Sequence, residues 1–511
     1  MQTTSARYQQ LATGDVRPLS WQYRMSWDKS FDDDVTFFTL DTSLLNGIGV
    51  LAPSDDNPIQ EWDKYKYQSY SDRIISMEWS RQEEVPYSVN LAIADITLNN
   101  YDNYFTYGAG SPLEPNILPG RPMRILAGFG NENIPQFVGL TQKTPLVEYQ
   151  NGRATLHAMD FLSYIMGKSI DKTTMFENIT TTDLLTELFT IVGLTPSQYV
   201  LDTSTNVIAF TYFDKGTTFG DAIKPIMQAE MGSLYMDEVG VIRFENRTRG
   251  SGLSMISFNK DNIVNFKVSN EDTIINTVEV KSAIREVQPT ELIFDLSEAI
   301  EISGNSSKVI FFDLQDPVTT IQPIENFTAN SLADGSGTDR KSSITVTDTD
   351  LFTTAIRVEL TNSNSSKVYV TDLLIYGTPA KVTKNIFIRE SNQDSIDKFE
   401  EHIMTIDNNF VQTEDIARSL ALTIINYYKD YTNTIELEVK GNYALQINDL
   451  ISVYVDNINA DYRITKITNI VQGSQFIQRL TGKIFNIADF FILSSDVTAK
   501  SLLDGPDVLA P

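Results

Sequence analysis

Between Ile74 and Phe161 the chain is written in short runs of alternating apolar residues, each cut off by Gly, Pro or Asn before it reaches helix length. The runs are Ile74–Trp79, Ser88–Leu98, Ile117–Phe129, Ile134–Leu140 and Ala154–Phe161. A period of two sends successive side chains to opposite faces, so the stretch reads as strands of a small barrel or sandwich. Pro119-Gly120 supplies a tight turn before Arg121, because proline presets one dihedral and glycine tolerates the next.

Composition narrows the function classes. The 511 residues are enough for roughly three or four domains, and a hydrophobic share of 41% provides for a sizeable core. The formal net charge is -27 and the pI about 4.4. Such a surface repels nucleic-acid phosphates, which argues against a DNA-binding enzyme. It is compatible with a channel through which DNA slides without sticking, and equally with an ordinary acidic protein. There is no cysteine, so disulfides and thiolate metal sites are excluded. No stretch approaches the ~20 apolar residues of a membrane helix. Met1–Arg7 lacks the apolar core of a signal peptide, which leads us to expect synthesis in the cytoplasm without an export signal.

The rest of the chain divides by texture. Residues 1–170 hold N-terminal strands and the first barrel-like unit. Trp21–Trp27 alternates as a strand would, and Asp32-Asp33-Asp34 precedes a second strand, Val35–Leu40. The triple Asp reads first as a solvated turn and only second as a calcium site, since no ligand spacing follows it. Residues 171–255 form a small α/β domain. It has a helix over 181–193, a second over 218–231 that Pro225 should kink, and a hairpin joining Leu234–Met236 to Val241–Phe244. Residues 256–285 plus 385–490 make a second barrel-like unit with a helix at 413–430, where Ile416, Leu420, Ile424 and Tyr428 share a face. Residues 286–384, rich in Ser, Thr, Asn and Asp, read as an inserted β-sandwich with strands at Val309–Phe312, Ser343–Val346, Ala355–Leu360 and Val368–Gly377. Residues 491–511 read as a tail that orders only on a partner. The fold class is therefore mainly β with smaller α/β parts: two barrel-like ring domains, a small helix-containing domain and an inserted β-sandwich.

The two barrel-like stretches share a plan. Val89–Leu98 corresponds to Ile435–Val439, Ile117–Ala127 to Leu445–Val455, Ile134–Leu140 to Tyr462–Ile467, and Ala154–Met159 to Phe476–Leu480. General β grammar accounts for some of this. Both the segment order around Pro119-Gly120-Arg121 and Pro135–Gly139 and the phrases Ile435–Asn442 and Leu445–Val453 resemble the baseplate hub family of phage tails. The resemblance covers about 24–281 and 385–485, and the insert lies outside it. The last strand of the insert, ending Ile375-Tyr376-Gly377, is similar to the closing strand of jelly-roll carbohydrate-binding modules.

Chemistry-bearing patterns are scarce. His157 reads as a strand-surface residue, and His402 as flanking a helix that carries Ile396, Phe399 and Ile403; neither has a metal-ligand neighbour at useful spacing. Gly167-Lys168-Ser169 lacks the upstream glycine of a phosphate-binding loop, since position 162 is Leu162. Asp334–Asp339 reads as a flexible loop before a calcium loop. Carboxylate pairs have no fixed spacing, and among 67 acidic residues a pair is uninformative. No catalytic, cofactor or metal residue is therefore expected, and the chain is not expected to be an enzyme.

The resemblance implies a virion protein of the tail tip or baseplate, assembled in the host cytoplasm. It would be a homotrimer joining a hexameric tail tube to the tip around the DNA exit channel. Two like units per chain, tripled, match threefold to sixfold symmetry. The implied partners are further copies of the chain, a tail tube or distal tail protein, a tape measure protein, and tip or fibre proteins, with no sequence-specific nucleic acid and no membrane span. The alternative is a tail-tip protein that binds or cleaves carbohydrate through the insert, with a host-surface glycan as partner.

Overall fold

The computed structural model describes residues 1–14, 16–29, 37–38, 50–51, 65–83, 88–170, 174–204, 206–214, 216–246, 256–271, 273–430, 432–456 and 458–484. The protein is mainly β with six α-helices among these residues. Asp32–Asp34 and the 491–511 tail lie outside them, as does most of the Val35–Leu40 run.

Helix α1 (Ala6–Thr13) starts at Ser5, whose hydroxyl accepts from the Tyr8 N–H and caps the first turn. There follow β1 (Leu19–Met25), the two-residue strands β2 (Phe37–Phe38), β3 (Val50–Leu51) and β4 (Gln68–Ser69), then β5 (Ile74–Gln82), β6 (Ser88–Asn90) and β7 (Ile93–Asn99). The first unit is completed by β8 (Pro122–Phe129), β9 (Glu132–Thr141), β10 (Leu146–Glu148) and β11 (Arg153–Met159). Asp160 then caps α2 (Phe161–Met166), accepting from the Ser163 N–H, so the apolar run that begins at Ala154 turns helical at Phe161.

The helix-containing part comprises β12 (Thr174–Thr180), α3 (Thr181–Ile191), β13 (Tyr199–Leu201), β14 (Val207–Phe213), α4 (Phe219–Glu230), β15 (Ser233–Met236) and β16 (Ile242–Glu245). Thr180 and Thr218 cap α3 and α4 by accepting from Asp183 and Asp221 N–H, and Pro225 lies inside α4 without ending it. After β17 (Ile256–Asn259), β18 (Ile263–Glu271) and β19 (Thr277–Val287), the chain enters the Ser/Thr-rich region. There β20 (Glu291–Asp295), β21 (Ile300–Ile302), β22 (Ser306–Asp313), β23 (Val318–Ile321), β24 (Phe327–Asn330), β25 (Ile344–Phe352), β26 (Ala355–Asn362) and β27 (Val368–Ser391) form two layers. The sheet β22-β26-β25 packs over one built on β27, with Phe312, Ile356 and Val358 meeting Val370, Leu373 and Ile375 in the core.

Strand β27 continues past that core. Its residues 380–391 pair antiparallel with β19. Then come α5 (Gln393–Phe399), β28 (Ile403–Asp407), which lies parallel to β19, and α6 (Glu414–Tyr428), capped by Thr413. Buried faces of α3, α4 and α6 share one core with Val278, Val280, Ile386 and Ile406. The chain closes with β29 (Thr432–Val439), β30 (Leu450–Val455), β31 (Ile458–Gln472) and β32 (Gln475–Ile484).

Pairing repeats between the two units. In the first the order is β5-β7-β11-β9-β8, and in the second β18-β29-β32-β31-β30, every neighbour antiparallel. The likeness reaches single residues. A register shift falls between Ile74 and Ser76 where β5 meets β7, and between Ile263 and Asn265 where β18 meets β29. Gly120 donates to Thr141 O and accepts its place at φ 71; Asn448 donates to Ile464 O at φ 70. Thr141 N–H returns to Arg121 O, and Ile464 N–H to Asp449 O.

One expectation is corrected. Two barrel-like units were expected, yet among the described residues no sheet closes on itself, and both units belong to one 14-stranded sheet. The reason is the length of β31. Its first half pairs with β30, and residues 466–472 run on to take the edge of β5.

Two outcomes test these local features. A Cβ on Gly120 would meet only Lys29 Nζ, at 3.7 Å, so the cost of adding one lies in the left-handed backbone. Gly120→Val and Asn448→Val should each lower stability by about 1–2 kcal/mol in chemical denaturation, with similar losses at the two equivalent turns. Asp160 is buried, and burial pushes its carboxyl up to about 6 against N–H donation from Ala92 and Ser163. The native chain thus holds this proton more tightly than the unfolded chain, whose value is near 3.8. Its contribution to stability is fully present below that value and is lost as pH rises through about 6. Asp160→Asn should flatten the fall of Tm across this window; an unchanged slope contradicts the assignment.

Candidate assembly interface

The residues singled out for chemistry do not converge. His157 projects from β11, half-exposed, and pairs with Asp95 on β7. His402 does not flank a helix carrying Ile403: α5 ends at Phe399, Glu400 turns at φ 65, and Ile403 opens β28. The His402 Nε2 lies 3.0 Å from Phe399 O. Lys168 of Gly167-Lys168-Ser169 donates to Val192 O at 2.8 Å, a structural role at the end of α3. In the 334–339 loop the Asp334 carboxylate accepts from its own turn, from the Ser336 N–H at 3.0 Å and hydroxyl at 2.7 Å, and these bonds lower its pKa. Among the described residues no three His, Cys, Asp or Glu side chains are grouped to hold a metal.

The residues that do converge lie where the two β units meet. Strands β5 and β31 pair from Ser76↔Gln472 to Gln82↔Lys466. Below this ladder Tyr443, from the loop after β29, enters the core of the first unit. Its ring stacks on Phe476 at 3.9 Å and on Trp79 at 6.2 Å, and meets Phe129 at 5.4 Å. Offset aromatic contacts of this kind add to area burial. Gln136 of β9 donates to Tyr443 O at 3.0 Å. Arg17 donates to Lys440 O and Gly441 O while its guanidinium lies 4.7 Å from the Phe129 ring centre. The Met1 amine pairs with Asp449, and Gln2 N–H donates to Ala444 O at 2.8 Å.

A second tie fixes the helix-containing part to the same joint. Arg81 on β5 is buried and paired with Glu238 of the β15–β16 turn, and Glu238 also accepts from Gln446 Nε2 at 2.6 Å. Burial lowers the Arg81 pKa, but Glu238, Asp160 and Asp237 outweigh it and leave the guanidinium's pKa raised. A buried cation with this many carboxylates around it stays charged and fixes the angle between the parts. Arg81 and Glu238 stand 157 positions apart, so no local pattern announces them.

The face of the long sheet away from these cores carries polar side chains, with Ile93 and Leu146 exposed among them. Thr97 meets Thr155 at 3.2 Å across β7 and β11, Asp95 meets His157, and Glu438 meets Arg479 at 3.3 Å across β29 and β32. Glu78 stands opposite Asp95 across β5 and β7, so basic side chains on this face are interspersed with carboxylates.

Neither a known protein family nor a curated relative matches the sequence. Solved structures similar to the chain include the 43 kDa tail protein of prophage MuSo2 from Shewanella oneidensis, at 13% identity and TM-score 0.46 over 82% of this chain and 95% of that one. The tail protein from Neisseria meningitidis MC58 is similar at 8% identity and TM-score 0.47, over 82% and 93%. Prophage tail protein gp18 from Listeria monocytogenes EGD-e is similar at 7% identity and TM-score 0.40, over 82% and 91%.

Proposed function

We propose that the chain is a structural hub of a phage-type tail baseplate, acting as a homotrimeric ring that joins a tail tube to the tail tip. The observation that carries this reading is the repeated strand order in two units fused edge to edge. One chain holds two like segments of an arc; three chains supply six, and a closed ring of six matches a sixfold tube. In this reading the long-sheet strands of the units at 1–170 and at 256–285 plus 385–490 form the ring, while β19, β28 and α6 pack with the 171–255 part. The 171–255 part and the 286–384 insert stand toward the tip, toward fibre proteins or toward the host. The polar sheet face lines the DNA exit path, where hydroxyls and cross-strand ion pairs let a phosphate backbone pass without holding it. Tape measure and tail tube proteins abut the ring ends. Function then resides in interfaces and a lumen, and the chain is not an enzyme.

Sedimentation velocity on the concentrated full chain tests this. The expected species has three times the 57.5 kDa chain mass. A chain that stays monomeric at every concentration, alone and in assembled tails, contradicts the ring.

The insert supports a second reading, in which it binds a host-surface carbohydrate. On the outer face of β22-β26-β25, Phe311 is 61% exposed and stacks with Phe352 at 6.4 Å, beside the Arg357–Asp350 pair. An exposed ring flanked by charged hydrogen-bonding groups suits a sugar, whose C–H face stacks while its hydroxyls bond. Glycan-array binding by the full chain, lost in Phe311→Ala with unchanged Tm, supports this; no binding on any array contradicts it.

A further inference from the structure

Every junction between like units in a closed ring of six occupies an equivalent position, and one of those junctions is already present inside the chain. That junction is β5 against residues 466–472 of β31. The repeated pairings state what corresponds to each side of it. Strand β18 stands in the second unit where β5 stands in the first, with Ser76, Glu78, Trp79 and Ser80 answered by Asn265, Lys267, Val268 and Ser269. On the other side, Thr468, Asn469 and Ile470 pair with Arg479, Gln478 and Ile477 of β32. Leu146, Val147 and Glu148 of β10 pair with Thr155, Ala154 and Arg153, their counterparts on β11. So β10 is to the first unit what the second half of β31 is to the second.

Both counterparts are open. Among the described residues β18 pairs only with β29, and β10 only with β11. Their apolar side chains are uncovered as well: Val264 is 59% exposed, Val268 42% and Leu146 59%. An unpaired strand edge with exposed apolar residues is a template for another chain unless something covers it.

We infer that β18 of one copy adds to β10 of the next, head to tail, in the register of the internal β5–β31 junction. This inference rests on the ring reading above. Thr468↔Ser80, Asn469↔Trp79 and Ile470↔Glu78 translate into Leu146 opposite Ser269, Val147 opposite Val268, and Glu148 opposite Lys267. The side chains agree with this register. Two valines meet on the core side, and a carboxylate meets an ammonium on the polar face. The backbone alternation agrees too. Glu83 N–H donates to Thr465 O at 2.8 Å and Gly473 N–H to Ile75 O at 3.3 Å, which makes Asn469↔Trp79 a hydrogen-bonded pair. Val147 and Val268 inherit that role, and Leu146 opposite Ser269 becomes a non-hydrogen-bonded pair. Each copy gives one edge and receives one, so the contact is heterologous and closes only as a ring.

The chain has no cysteine, so engineered thiols report without background. A non-hydrogen-bonded antiparallel pair places Cα atoms about 4.5 Å apart, within the roughly 4.4–6.8 Å that a disulfide spans. Leu146→Cys with Ser269→Cys in one full-length chain should give, under mild chemical oxidation, a covalent ladder that ends at the trimer. Leu146→Cys mixed with the separate Ser269→Cys chain should give dimers only. Lys267→Glu should weaken association roughly three- to tenfold per seam, and adding Glu148→Lys should restore it. A chain that is trimeric by mass yet forms no such crosslink and ignores Lys267→Glu overturns the seam and leaves the ring standing. A crosslinked ladder running past three overturns closure at the trimer. A chain monomeric by mass that forms no crosslink overturns the ring reading, and the seam falls with it.

Discussion

The structure depends on the ladder between β5 and β31. These strands lie almost four hundred positions apart, and ordering such a distant contact costs chain entropy that backbone hydrogen bonds alone offset poorly. The contact is sealed from below by Tyr443 among Phe476, Trp79 and Phe129, and at its end by the Arg81–Glu238 pair. Apolar burial provides the stability of the joint. The ion pair adds little net free energy, since desolvation offsets its attraction, but it admits a single geometry. Without this joint there would be two small half-sheets with open edges. With it the strands of both units belong to one 14-stranded sheet.

Much of this was legible from residue order, for identifiable reasons. Helices α3, α4 and α6 announce themselves because Thr180, Thr218 and Thr413 stand at their starts and the apolar residues then recur with helical spacing. The repeat was legible as a succession of strands because both units alternate with a period of two. Its finer signs were not. A register shift at Ile74 or Ile263 leaves no mark in composition. The equivalence of Gly120 with Asn448 is disguised by two different residues that both tolerate a left-handed backbone.

Other elements were hidden by their length or by distance. Helix α1 is short, and only Ser5 marks it. Helix α2 is masked in the sequence because Phe161 continues the apolar run of the preceding strand, although Asp160 is a good cap. Ile403 sat at helical spacing from Phe399, but a turn at Glu400 intervenes and tertiary pairing with β19 claims it as a strand. The fusion of the two barrel-like units into one sheet is not legible, because pattern alone cannot show which edge a strand gives to which neighbour. That depends on β31 being long enough to serve two partners, and on Tyr443, whose packing is visible only in three dimensions.

Strand β27 carries a mechanical consequence. It spans 24 residues, from the core of the Ser/Thr-rich layers to its ladder with β19 in the body of the protein. Extended, it reaches about 80 Å. A load applied at its outer end is carried by the backbone of a single unbroken strut. It meets the β19 ladder in shear, with many hydrogen bonds strained together. The outer layers are thus held like a blade on a tang, and the direction in which they point is set by the body behind them.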